Sequence, residues 1–169
     1  MKIKAATAAE VCAKFNPPRK ARALLRPGIT PLDFMNALVT HEEYVAGIDF
    51  LAHALPVREA IWWGCLCMQH ACGDNLTPVD KAAAIAAVRW VDQPTEERRT
   101  AAMAPADAAS PASPAGTLAR AASQAAGDPR SSIANAVHLA SVKGGGAAMI
   151  GRQRSYIEMG IAIANGKFI

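Results

Sequence analysis

Apolar residues recur at Tyr44, Ile48, Leu51 and Leu55, spacings of four, three and four that stack them along one face of a helix. That face is predicted to be buried. Proline cannot continue a helix without losing a backbone bond but suits a first turn, so Leu55-Pro56 should end one helix and open the next. The second helix runs to about Cys72. Ile61, Cys65, Met68 and Cys72 form one apolar arc on it, and Trp63, Leu66 and His70 lie roughly opposite. A helix apolar on two sides is either central to the fold or holds a partner. Residues 47–72 are therefore the stretch around which the rest of the chain is expected to be arranged.

Polar punctuation marks where other helices begin. A threonine that can cap, followed three residues later by an acid, occurs at Thr7/Glu10, Thr30/Asp33, Thr40/Glu43 and Thr77/Asp80. Thr30-Pro31 and Thr77-Pro78 add proline at the first helical position, which sharpens those two starts. Helices are predicted near 8–15, 18–25, 31–39, 41–54, 56–72 and 78–92, joined by turns short enough to make neighbours antiparallel.

The pattern changes over residues 101–129. Thirteen of these 29 residues are alanine and four are proline, with Met103 and Leu118 the only large apolar side chains. So little apolar surface suggests a flexible linker, with at most a loose turn or two over residues 117–126. Order is expected to return at Ser131, as the N-cap of a helix carrying Ile133, Val137 and Val142 and ending at Gly144-Gly145-Gly146. A last helix over about 147–165 bears Ile150, Tyr156, Ile157 and Ile161, with Gly166 as its C-terminal cap.

The expected fold is thus all-α: one domain built as an antiparallel bundle of about seven to eight helices. Residues 1–100 form the body, 101–129 the loosely ordered Ala/Pro linker, and 130–169 a pair of helices docked on the body. Composition agrees, since 51% of residues are hydrophobic but only 5% aromatic, and alanine favours helices packed closely through small side chains. No apolar run reaches the roughly 18–20 residues of a membrane helix, and the first 15 residues lack the apolar core of a signal peptide, so a cytoplasmic protein is expected. Charge divides along the chain. Residues 1–26 carry seven basic groups and one acid, residues 27–129 six and twelve, and residues 130–169 five and one. The basic ends can fold back on the acidic middle or present a surface to an acidic partner.

Cys65, Cys67, His70 and Cys72 have the side chains of zinc ligands but not the spacing. Cys65 and Cys72 share a helix face from which Cys67 and His70 diverge by roughly 140–200°, so no metal is expected and the four cysteines are read as buried small hydrophobes. His41, His53, His70 and His138 are scattered, with no flanking catalytic signature. The triple glycine lacks the strand before it and the Lys-Ser/Thr after it that a phosphate loop needs. Arg19, Lys20, Arg22 and Arg26 have no interleaved aromatics, so nucleic acid is not the expected partner. Tryptophan and arginine are favoured interface anchors. Arg58, Glu59 and Trp63 are the candidate partner-binding residues, Arg58 either reaching the partner or pairing with an acid such as Asp49. Trp62 is then the core tryptophan, the alternative being that both are core.

The run Phe50-Leu51-Ala52-His53-Ala54-Leu55-Pro56, continued after one residue by Arg58-Glu59-Ala60-Ile61-Trp62-Trp63, resembles a family of small bacterial proteins of unknown function. Pro27-Gly28-Ile29-Thr30-Pro31, Ala136-Val137-His138-Leu139-Ala140, and Tyr156 with Gly160 extend the resemblance over nearly the whole chain. It implies an origin beside the genes for type VI secretion tip components, such as PAAR spike proteins and their adaptor chaperones. It further implies a co-chaperone role in loading a PAAR-associated effector, without cofactor or catalytic residues. The expectation is a non-enzymatic accessory protein whose partner is an adaptor chaperone or a PAAR- or effector-related protein. A Cys/His-dependent enzyme and a purely structural subunit are the alternatives.

Overall fold

In the computed structural model, which describes residues 1–167, the chain is all-α. The helices are α1 (Ala8–Cys12), α2 (Arg19–Arg22), α3 (Pro31–Thr40), α4 (Tyr44–Ala54), α5 (Val57–Cys72), α6 (Pro78–Asp92), α7 (Glu96–Ala101), α8 (Met103–Ala108), α9 (Pro114–Ser123), α10 (Arg130–Val142) and α11 (Met149–Ala164), with one 3₁₀ turn at Gly146–Ala148. No helix among the described residues is long and apolar enough to cross a membrane.

Three of the threonine caps act as their spacing predicts: Thr7, Thr30 and Thr77 each accept a hydrogen bond from the backbone N–H three residues on. Thr40 does not. It is the last residue of α3, its hydroxyl donates to the Asn36 carbonyl at 2.8 Å, and α4 starts later, at Tyr44. Glu42, with φ of 58°, makes the break between them. Nor does Ser131 cap α10, which begins one residue earlier at Arg130. The far end of α11 follows the pattern. Gly166 has φ of 81°, its N–H bonds the Ile163 carbonyl at 2.9 Å, and the Lys167 N–H bonds the Ala162 carbonyl at 3.0 Å, the paired closure of a Schellman motif.

At the Leu55-Pro56 corner α4 stops with its last carbonyls unpaired within the helix, and Arg130 satisfies them. One guanidinium nitrogen of Arg130, Nη1, donates to the carbonyls of Ala52, His53 and Leu55 at 2.8–2.9 Å. The start of α10 is thereby fastened to the corner. α5 lies at the centre, with α6, α9, α10 and α11 packed around it, and α10 also lies against α4. Tyr44, Ile48, Leu51 and Leu55 are all buried, as are Ile61, Cys65, Met68 and Cys72.

Residues 101–129 depart from the linker expectation. They form α8 and α9, and α9 is one of the most deeply buried helices: Ala115, Leu118, Ala119, Ala121 and Ala122 have no exposed surface. Small side chains fail to make a core by themselves, but they let α9 lie close to α6 and α10 and share theirs. Ser113 caps α9, its hydroxyl accepting from the Gly116 N–H at 3.1 Å and donating to the Asp80 carboxylate at the start of α6. The basic amino-terminal segment also docks on the body, through Lys2 on Glu59 at 2.9 Å and a Lys2 N–H to Ala164 carbonyl bond at 2.7 Å.

Candidate functional site

A groove of about 670 Å³ lies between α5 and α6. α5 supplies Trp62, Leu66 and Gln69, spaced four and three apart and so on one face. α6 supplies Lys81, Ile85, Val88 and Arg89 by the same periodicity, and Asp74 and Leu76 in the connecting turn close one end. Cys65, Met68 and Ala84 form the buried floor. Ile85 and Val88 are 42% and 39% exposed, high values for β-branched side chains in mid-helix. On the far side of the same ridge, a second hollow of about 580 Å³ shares Ile85 and Arg89 and runs to Arg98 and Pro105. α6 therefore buries Ala83, Ala87 and Trp90 inward and presents an apolar ridge with a groove on each side.

The residues singled out in the sequence lie elsewhere. Trp63 has no exposed surface, and its indole N–H donates to the Tyr156 carbonyl at 2.8 Å. It is core, the reverse of the expected assignment, because α11 covers its face of α5. Trp62, half-buried, is the tryptophan that reaches the groove. Arg58 is exposed but neither pairs with Asp49 nor projects away from the fold. Its Nε donates to the Val91 carbonyl at 2.7 Å, closing the end of α6, and Asp49 instead meets His138 Nε2 at 2.9 Å. Glu59, half-buried, holds Lys2. The three are not brought together at one surface. What sequence reasoning missed was the stripe Lys81, Ile85, Val88, whose signal is an apolar residue on the side of α6 opposite Trp90.

All four cysteines are buried as free thiols. Burial pushes the Cys65 thiol up to about 12 and the Cys67 thiol well above its ordinary value, so both stay protonated at neutral pH and are poor nucleophiles. Among the described residues no three His, Cys, Asp or Glu side chains are placed to hold a metal ion.

The raised thiol has a consequence for stability. The folded chain holds the Cys65 proton more tightly than the unfolded chain, so this contribution is complete below the ordinary thiol value of 9.0 and is lost as pH rises toward about 12. Tyr156, pushed from 10.0 to about 12 by burial first and by Cys67 second, acts in the same direction. Chemical denaturation across this window should show falling stability, and Cys65→Ala a shallower fall; equal slopes would contradict the assignment.

Residues 34–164 match the model of a family of unknown function (DUF6931). No curated protein and no solved structure matches the chain.

Proposed function

Because the chain belongs to the DUF6931 family, whose function is unknown, we propose a role from the groove itself: the protein is a non-enzymatic accessory factor that holds an amphipathic helix of another protein between α5 and α6. The observation that carries this reading is the exposure of Ile85 and Val88 beside a groove walled by Trp62 and Leu66. Water-facing aliphatic side chains along a concave, helix-wide surface match the apolar stripe of a partner helix. The α6 wall adds Lys81 and Arg89, with Asp74 the acid at the closed end. The partner helix should therefore carry acidic residues along the edge that lies on α6. The resemblance to proteins of type VI secretion loci supports, as the proposed partner, an adaptor chaperone or a PAAR- or effector-related protein, met in the cytoplasm while the effector is loaded.

The test places a photoreactive side chain at Val88 and, as a control, at Ile150, which is also exposed but lies on α11 away from the groove. Adducts with an adaptor, spike or effector protein from position 88 and not from 150 are expected in the native cell. The purified partner should then bind the Ile85→Glu/Val88→Glu variant at least about tenfold more weakly, with the variant still folded and melting lowered only modestly, because both side chains are already partly in water. Equal adducts from both positions, or unchanged affinity of the double variant, would remove the groove from the account.

A further inference from the structure

A smaller cavity of about 230 Å³ lies under the Leu55-Pro56 corner, and its lining is unlike that of the groove. Lys4 enters from the amino-terminal segment, Lys14 from the end of α1, His53 from α4 and Arg130 from α10, around an apolar floor that includes Val11 and Pro56. No acidic side chain is part of the lining. The nearest acid on Arg130 is Asp128, whose Oδ1 lies 3.9 Å from Nε on the solvent side and whose side chain is 75% exposed.

Two of these groups are held in place by the fold. His53 is only 7% exposed, its ring is stacked on Phe15 at 4.8 Å, and its Nδ1 lies 2.8 Å from the Asp49 carbonyl. A carbonyl only accepts, so Nδ1 carries the proton it donates there, and Nε2 is left facing away. Nε2 makes no hydrogen bond to the described residues, and no fully buried side-chain nitrogen or oxygen among them lacks a partner, so Nε2 has open surface, which the cavity provides. Arg130 spends Nη1 on the three carbonyls of the corner, while Nη2 makes no hydrogen bond to the described residues. The two lysines are exposed and long enough to adjust over the mouth.

We infer that this cavity is a binding site for a phosphate group, gripped by Arg130 at the back, beside His53 Nε2, and by Lys4 and Lys14 at the entrance. Three cations around so small a space exceed what a single carboxylate balances, whereas a doubly charged tetrahedral oxyanion offers each of them an acceptor. The volume accommodates the group with little besides water, so the source is either free inorganic phosphate or the terminal group of a small phosphomonoester. The site is independent of the α5–α6 groove and shares no lining residue with it.

Titration of the full chain with inorganic phosphate, followed by the imidazole ¹⁵N shift of His53, is the direct test. Saturable movement of Nε2 with phosphate, and with sulfate as a dianion of the same shape, is expected, while acetate at equal ionic strength leaves it in place. Glycerol phosphate separates the sources: binding as tight as phosphate points to a phosphomonoester, and exclusion points to the free ion. Lys4→Gln/Lys14→Gln should weaken phosphate binding at least about tenfold, and Lys20→Gln/Lys167→Gln, an equal change of net charge at other exposed positions, should not. Arg130 is left intact because it also supports the corner. No saturable shift, or equal weakening in both double variants, would overturn the site.

Discussion

Replacement of Trp63 by alanine is expected to cost about 3–5 kcal/mol of folding stability, enough to lower the melting temperature by roughly 10 °C in a domain of this size. The ring has no exposed surface, and it lies so close to α11 that a Cβ added at Gly160 would come within 3.2 Å of its Nε1 and 2.7 Å of Leu51 Cδ1. Truncation leaves a large void at the crossing of α5 and α11, two rigid helices that cannot collapse into it fully. It also removes the indole N–H that donates to the Tyr156 carbonyl at 2.8 Å, in addition to that carbonyl's place in the α11 ladder. Trp63→Phe separates these contributions: it keeps much of the volume but loses the indole hydrogen bond and part of the ring, and should cost about 1–3 kcal/mol. Trp62→Ala is the comparison. Half-buried at the groove, it should lose about 1 kcal/mol or less and chiefly weaken partner binding. Denaturant melts of the three variants decide the matter, and equal losses at 62 and 63 would mean that both tryptophans are core.

Why the sequence could name this helix but not the order of its two tryptophans is a matter of geometry. Periodicity shows that residues at 62 and 63 point about 100° apart, and that α5 is apolar on two sides. Which side is covered depends on α11, some ninety residues away, and on the absence of a side chain at Gly160 that lets it approach. Local chemistry was more readable. Three of four threonine boxes cap helices, because the bond is made within four residues of chain, and Thr40 fails because the helix before it continues through the threonine. The cap at Ser113-Pro114 repeats the grammar of Thr30-Pro31 and Thr77-Pro78 but lacks the acid three residues on. Asp80 supplies a carboxylate from another helix instead. Arg130 and the cavity beside it had no local signal, since the guanidinium reaches back more than seventy residues to the carbonyls it holds.

The segment over 101–129 gives the second large effect, and it turns on one side chain. Leu118 is fully buried, and it fits against α5 where Gly64 has no Cβ; a methyl group built there would collide with Leu118 Cδ2. Composition undervalues such a site because it counts one leucine among thirteen alanines, whereas packing counts what that leucine touches. Leu118→Ala should cost about 3–5 kcal/mol, the range of a buried leucine whose surroundings do not relax. Gly64→Ala should cost about 1–3 kcal/mol by overpacking the same contact. The two are not independent. With alanine at 118 the added methyl at 64 meets space in place of a leucine branch, so the double variant should be more stable than the sum of the single losses by about 0.5–3 kcal/mol. The same variants set the behaviour of the segment under a protease of broad specificity. In the wild-type chain α9 should resist cleavage as long as the body helices do, because a protease needs free backbone, and Leu118→Ala should make residues 101–129 the first to be cut. Additive losses at 64 and 118, with cleavage in this segment from the outset in the wild-type chain, would show that α9 does not hold its place between α5, α6 and α10, and would return the segment to the linker that its composition suggests.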